Sequence, residues 1–253
     1  MFNFGRFIGI FVGVGAMLIA LVLEHAQFQT YYNTAAVIII LGGCSGAVII
    51  SNGGDKFFKA PVFFFRAFTK PDILDIEATA KALKDVAIII RKEGHLSASE
   101  VIQSITHPFL REGLQLVTDG MPAEEVEITL KAYLKNFYRE HKAGVDFFSN
   151  LGGYAPTMGI IGTVIGLVNM MVNLGKLGSD GLGGAIAVAF IATLYGIGFA
   201  NLIFLPVSNA LKEKLETEIN FNKALIESIV LIQEGAVPRV IERKFLDNTL
   251  KYF

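Results

Sequence analysis

Residues 151–174 read LGGYAPTMGIIGTVIGLVNMMVNL, residues 182–208 read LGGAIAVAFIATLYGIGFANLIFLPVS, and neither stretch holds an Asp, Glu, His, Lys or Arg. A helix that crosses the hydrocarbon core of a bilayer needs about 20 mostly apolar residues. Both stretches exceed that, so the sequence places transmembrane helices over Phe147 to Leu174 and Leu182 to Val207. Working outward, Phe4 to Leu23 and Thr34 to Ser51 have the same character. The whole chain is 53% hydrophobic, only 18% charged, with a mean hydropathy of +0.53, against roughly 25% charged in soluble domains. The expected fold class is therefore all-α, a polytopic membrane protein with four transmembrane helices and a helical cytoplasmic insert between the second and third.

Orientation is read from Lys and Arg near the span ends. The connection from Glu24 to Asn33 has none, and that from Gly175 to Gly181 has only Lys176. By contrast, Lys56, Lys59, Arg66 and Lys70 follow the second span, Lys131, Lys135, Arg139 and Lys142 precede the third, and Lys212 and Lys214 follow the fourth. The insert and both termini are thus expected in the cytoplasm. The first span is read as retained rather than as a signal peptide, because Glu24, His25 and Gln27 follow it without a small-residue cleavage site. Four segments result: a first hairpin (1–51), the insert (52–146), a second hairpin (147–208) and a cytoplasmic tail (209–253).

The insert reads as helical. Pro71-Asp72 signals a helix start, and Ile76, Ala80, Leu83, Ala87 and Ile90 recur at helical spacing. Gly94 is expected to close that helix as a left-handed cap. A second helix is expected from Pro108 to Val117, stopping at Asp119-Gly120. A third begins at Pro122 and runs in register towards the third span. The stripe Leu211, Leu215, Ile219 and Leu225 continues the fourth span into the tail, interrupted at Gly235 and Pro238 before a short last helix.

Chemistry is signalled by glycines and by an absence. Gly5, Gly9 and Gly13, then Gly42 with Gly46 and Gly162 with Gly166, recur every four residues. Small residues so spaced let helices approach closely in lipid, either within one subunit or between subunits. Intramembrane acids normally mark ion pathways, yet the last two spans contain none. If ions pass here, another protein supplies the titrating group. What the spans offer is Thr157, Thr163, Asn169, Thr193, Tyr195, Asn201 and the carbonyls freed by Pro156 and Pro206. Each threonine hydroxyl either bonds its own helix four residues back or lines a polar cavity. Pro156 is either a static kink or a hinge. His95, His107 and His141 are scattered without nucleophile–base or metal-ligand spacing, so no enzyme and no cofactor are expected. No basic face suggests nucleic acid, and Cys44 sits in an apolar run as a packing residue.

The stretch Ala155-Pro156-Thr157-Met158-Gly159-Ile160-Ile161-Gly162-Thr163-Val164-Ile165-Gly166-Leu167-Val168 resembles the third span of flagellar stator A subunits, the MotA and PomA proteins. Ala187 to Gly196, Phe109 to Gly120, and Gln233 through Arg239 resemble theirs too, in order along nearly the whole chain. The resemblance implies a homopentameric ring around a single-span B subunit of the MotB or PomB type, which brings the ion-binding aspartate. It implies force on the rotor protein FliG, and residence in the bacterial inner membrane. By position, Thr163, Thr193, Ala192 and Tyr195 match the ion path, and Pro156 and Pro206 the hinge prolines. Arg91, with Lys92 and Glu93, matches the rotor-contacting arm, although a solvated helix end beside the C-terminal dipole is the plain alternative. The family's acidic partner falls at Ser99 here, with Glu100 one residue on, a slip that turns a helical side chain by about 100°. Ala192 stands where sodium-driven relatives carry a hydroxyl, so the translocated ion is expected to be a proton rather than sodium. Two rivals are an ExbB- or TolQ-like energiser of outer-membrane processes, with three spans expected, and a self-contained channel or transporter.

Overall fold

The computed structural model describes residues 4–25, 28–73, 75–176 and 178–250; among them, the side chains of residues 28, 30, 176 and 178–182 are left undescribed. Every regular element is helical: α1 (Phe4–Leu23), α2 (Phe28–Tyr31), α3 (Thr34–Asn52), α4 (Gly54–Phe58), α5 (Ala60–Ala67), α6 (Ile76–Glu93), α7 (Ser99–Gln103), α8 (Pro108–Thr118), α9 (Ala123–Val172), α10 (Gly178–Phe199), α11 (Leu205–Gln233) and α12 (Pro238–Leu250). Four helical stretches are long and apolar enough to cross a membrane: α1, α3, α9, and the run Gly183–Gln233. The third span and the helix leading into it are one 50-residue helix, as the register at Pro122 predicts.

The chain divides into two compact units, Met1–Lys70 with Lys142–Lys212, and Pro71–His141 with Glu213–Phe253. The insert and the tail, distinct segments in sequence, therefore share one core. In the membrane-type unit, α9 and α10 pack through glycines: a Cβ placed on Gly166 would lie 2.9 Å from the Ala189 Cβ, and one on Gly162 2.8 Å from the Ala192 Cβ. Gly162 and Gly166 thus serve packing within the subunit, whereas Gly9, Gly42 and Gly46 face open space. Helix α3 meets α9 where Gly43 faces Met158. Asn33 starts α3 by accepting the Ala36 N–H at 3.2 Å, and its amide donates to the Val188 carbonyl at 3.3 Å. Helix α1 has no buried residue. It is held at its start by Arg6, whose guanidinium donates to the carbonyls of Ala67 (2.8 Å) and Ala210 (3.2 Å).

The other unit buries Leu83, Leu110, Leu114, Leu130, Leu225, Ile229, Ile241 and Phe245 in one cluster. Two local expectations are corrected. Helix α6 starts at Ile76, not at Pro71, because the Asp72 N–H goes to the Glu218 carboxylate (2.9 Å) while the Asp75 side chain caps Ala78 (2.8 Å). Gly94 ends α6 with φ +89° and ψ 172°, an extended positive-φ geometry open essentially to glycine alone rather than a left-handed helical cap. Gly120, at φ +74°, stops α8 as expected.

His107 caps α8: its Nδ1 accepts the Leu110 N–H at 3.3 Å, so that nitrogen is unprotonated. Burial lowers its pKa from the ordinary 6.5, opposed by the Asp72 and Glu218 carboxylates and by a hydrogen bond with the Asp72 backbone. A base with a depressed folded pKa stays neutral in both states above its ordinary value, and its contribution is lost as pH falls below it. The thermal stability of the purified chain is therefore expected to decline as pH drops below 6.5. His107→Asn, which keeps a capping acceptor, should flatten that limb. An unchanged limb in the variant would assign the pH dependence elsewhere.

Candidate functional site

The site begins with a local conflict between hydroxyls and backbone. Thr163 on α9 and Thr193 on α10 lie 2.6 Å apart, oxygen to oxygen. Thr163 Oγ1 is also 2.9 Å from the Ala189 carbonyl and 3.2 Å from the Gly159 carbonyl of its own helix. The bond within its own helix and the polar cluster are thus both present. Each hydroxyl has one proton and two lone pairs. When Thr163 donates to the Ala189 carbonyl, Thr193 donates to Thr163, and every proton of the pair is used. The Thr193 lone pairs then remain as acceptors, on a side chain that is half-exposed in the single chain. Such a pair offers oxygens to a hydrated ion or a protonated acid, and has no charge of its own to trap it.

The glycines set this closeness. A Cβ on Gly159 would lie 2.8 Å from the Ala192 carbonyl oxygen, and one on Gly196 would lie 2.5 Å from the Ala155 carbonyl oxygen. Backbone-to-backbone approach of α9 and α10 is what brings the two threonines into hydrogen-bond range. Sequence spacing alone does not reveal that the Ala189 carbonyl joins them.

Pro156 sits inside the continuous α9, where it removes the bond to the carbonyl four residues back. Pro206 lies in the first turn of α11, directly after a π-helical turn over Ala200–Phe204. A wide turn before a proline absorbs the ring's clash with the preceding carbonyls. Pro206 is the sequence signal for this turn. Its side chain borders a crevice of about 330 Å³, also lined by Arg6, Gly9, Ile10, Asn201 and Leu202.

Two residues grouped with the ion path stand apart from the hydroxyl pair in what they touch. The Tyr195 hydroxyl donates to the Tyr31 carbonyl, which commits its proton to joining α10 to the end of α2. Ala192 is 2% exposed and packs into the notch at Gly162. In the other unit, Arg91, Lys92 and Glu93 are exposed at the end of α6. Glu100 is exposed in the first turn of α7, while Ser99 beside it is half-buried. A 3₁₀ turn over His95–Ala98 separates the two helices. It is pinned by the bonds of His95 Nδ1 to the Val117 carbonyl (3.0 Å) and of Ser97 to the Glu93 carbonyl (3.0 Å). Among the described residues, no group of three or more His, Cys, Asp or Glu could hold a metal.

The sequence model of the MotA/TolQ/ExbB proton channel family matches residues 101–223. Motility protein A of Bacillus subtilis is 34% identical over 239 residues, covering 94% of this chain and 88% of that protein. Motility protein A of Borreliella burgdorferi is 35% identical over 250 residues, covering 96% and 93%. A chain in the structure of the flagellar MotAB stator complex from Bacillus subtilis superimposes with a TM-score of 0.87 at 33% identity, covering 97% of this chain and 98% of that one.

Proposed function

The chain belongs to the MotA/TolQ/ExbB proton channel family, among its Motility protein A members, and from this premise we propose that its third and fourth spans form one wall of an ion path whose acid comes from a partner. It is a stator subunit of the flagellar motor and a protein of the inner membrane. The observation that carries the reading is the pairing of two half-exposed hydroxyls in spans that hold no Asp, Glu, His, Lys or Arg over residues 151–174 and 182–208. The resemblance assigns the missing group to the aspartate of a MotB-type single-span subunit, enclosed by a ring of copies of this chain. Beside Thr163, α9 also exposes Ile160, Val164 and Val168, apolar surface suited to a neighbouring helix in lipid.

Ion passage at this wall turns the ring, and the exposed Arg91, Lys92, Glu93 and Glu100 of the insert push on FliG. The insert and both termini face the cytoplasm in this reading, which the distribution of Lys and Arg supports. Co-purification with the single-span partner tests the assignment. A stable complex containing several copies of this chain is expected, and ion conduction by the isolated chain would overturn the borrowed-acid mechanism.

The translocated ion is a proton: a hydroxyl pair and a carboxylate suffice for a proton carried by water, whereas dehydrated sodium asks for more oxygens. Motor rotation at fixed pH should persist when sodium is replaced by potassium, and a stall would assign sodium instead. Placing a hydroxyl at residue 192 is a poor test of the same point. Ala192→Thr adds atoms to a side chain already wedged at Gly162, and overpacking would confound the ion dependence.

A further inference from the structure

Directly after the second span, the first part of the insert, residues 52–70, carries Lys56, Lys59, Arg66 and Lys70 against the single acid Asp55. The structure folds this stretch into α4 and α5, joined at Lys59, whose own backbone is helical. The two faces of this element differ. Phe57, Phe63 and Phe64 turn inward onto an aromatic cluster, with ring centroids 6.4 Å (Phe57) and 6.2 Å (Phe63) from Phe147, and 6.3 Å from Phe64 to Phe148. Phe58, Val62 and Phe65 point the other way and are 83%, 65% and 59% exposed. Val62 and Phe65, three residues apart, share one face of α5, and Phe58 precedes them at the end of α4. Lys56, Lys59 and Lys70 are exposed along the same stretch.

We propose that α4 and α5 form an interfacial anchor: Phe58, Val62 and Phe65 insert at the headgroup–acyl boundary of the leaflet next to the end of α3, and Lys56, Lys59 and Lys70 gather anionic phospholipid there. Chain connectivity commits the occupant. Helix α3 crosses the bilayer and ends at Asn52, and α4 starts two residues later at Gly54, so this element emerges at the membrane surface. An apolar stripe bordered by lysines, in short helices with the opposite face packed on protein, is the composition of a segment that lies in that surface. Anionic headgroups complement the lysines, and each such contact multiplies lipid association by about fivefold. The anchor holds the second and third spans together on their cytoplasmic side, through Phe147 and Phe148. The side named here, but not the lipid contact, rests on the orientation given under Proposed function.

The chain contains no tryptophan, so Phe58→Trp and Phe65→Trp each install a single fluorophore. Full-length chain, co-assembled with its partner subunit, is reconstituted into phosphatidylcholine vesicles containing phosphatidylglycerol. Either the phosphatidylcholine or the phosphatidylglycerol carries brominated acyl chains, at equal mole fraction. Quenching by both lipids, with brominated phosphatidylglycerol at least twofold stronger, is expected for both reporters. Lys56→Gln, Lys59→Gln and Lys70→Gln together should equalise the two. Equal quenching before the lysines are changed would overturn the anionic-lipid claim. A red emission without quenching would place the stripe in water, and a blue emission without quenching would place it against protein, a second copy of this chain included. Failure of both reporters to assemble would likewise mean a protein contact. Any of these three results overturns the anchor. Lys59→Cys, probed with a membrane-impermeant maleimide on intact cells, reports the side separately. Labelling from outside would overturn the orientation and leave the lipid measurement standing.

Discussion

Gly196→Ala is expected to abolish motility and to remove most correctly assembled chain from the membrane, whereas Gly198→Ala leaves both near the parent level. The two glycines are one half-turn apart on the same helix. At Gly196 an added Cβ would stand 2.5 Å from the Ala155 carbonyl oxygen and 3.0 Å from the Gly159 Cα. At Gly198 it would meet nothing within 4 Å. The atoms it meets at Gly196 are backbone, so no rotamer change relieves the contact and α10 must move off α9. Overpacking typically costs about 1–3 kcal/mol, and a clash against rigid backbone falls at the upper end of that range. The displacement also opens the 2.6 Å contact between Thr163 and Thr193, so even chain that inserts should carry a broken hydroxyl pair. Gly113→Ala is the instructive contrast: its Cβ would lie 2.6 Å from the Ile229 Cδ1, the far end of a flexible side chain, and a mild loss is expected. Immunoblots of membrane fractions, together with swimming in soft agar, separate lost protein from lost function. Wild-type swimming in Gly196→Ala would show that the two helices have slack that this packing does not have.

The four spans were legible because hydrocarbon demands long apolar runs, and a run of 20 such residues has few other uses. The continuity of α9 was legible as well, since no proline lies between Pro122 and Pro156 and the apolar register carries through. What eluded the sequence depends on partners far along the chain. Pro71 looks like a helix start, but Asp72 is claimed by Glu218, which lies 146 residues away. Helices α4 and α5 are short and rich in phenylalanine, and only their packing against Phe147 and Phe148 separates the inward from the outward rings. Thr163 and Thr193 could be named from the resemblance. That their oxygens meet, and that the Ala189 carbonyl joins them, follows from glycine contacts between helices. Tyr195 and Ala192 looked like path residues for the same reason. In the structure they touch the Tyr31 carbonyl and the Gly162 notch, contacts that spacing along the chain does not announce.

Removing the carboxylate of Glu218 is expected to cost the insert-and-tail unit more than any other single polar substitution. Glu218 is 2% exposed and Lys214 is also buried. The ammonium lies 3.9 Å from the carboxylate, at the edge of ion-pair range, and the same carboxylate accepts the Asp72 N–H at 2.9 Å. Burying two charges is expensive, and the pair recovers little of that cost as net stability. Breaking it is another matter, because the lysine keeps its charge at a buried position while losing this carboxylate; such losses run up to about 3–5 kcal/mol. Glu218→Gln separates the two roles, since its amide oxygen still accepts from Asp72 while the negative charge is gone. Glu218→Ala removes both, and should be the worse of the two by about 1 kcal/mol, the worth of one buried hydrogen bond. The decisive variant is the double one. Lys214→Met in the Glu218→Gln background removes the ammonium that has lost this carboxylate and should recover part of the lost stability, since an apolar replacement of a buried pair is often neutral. Thermal unfolding of the purified full-length chain at pH 7.5, above the ordinary His107 value of 6.5, keeps the imidazole out of the comparison. If Glu218→Gln unfolds at the parent temperature, the lysine is not held by this carboxylate, and the Asp72 bond alone accounts for its place in the core.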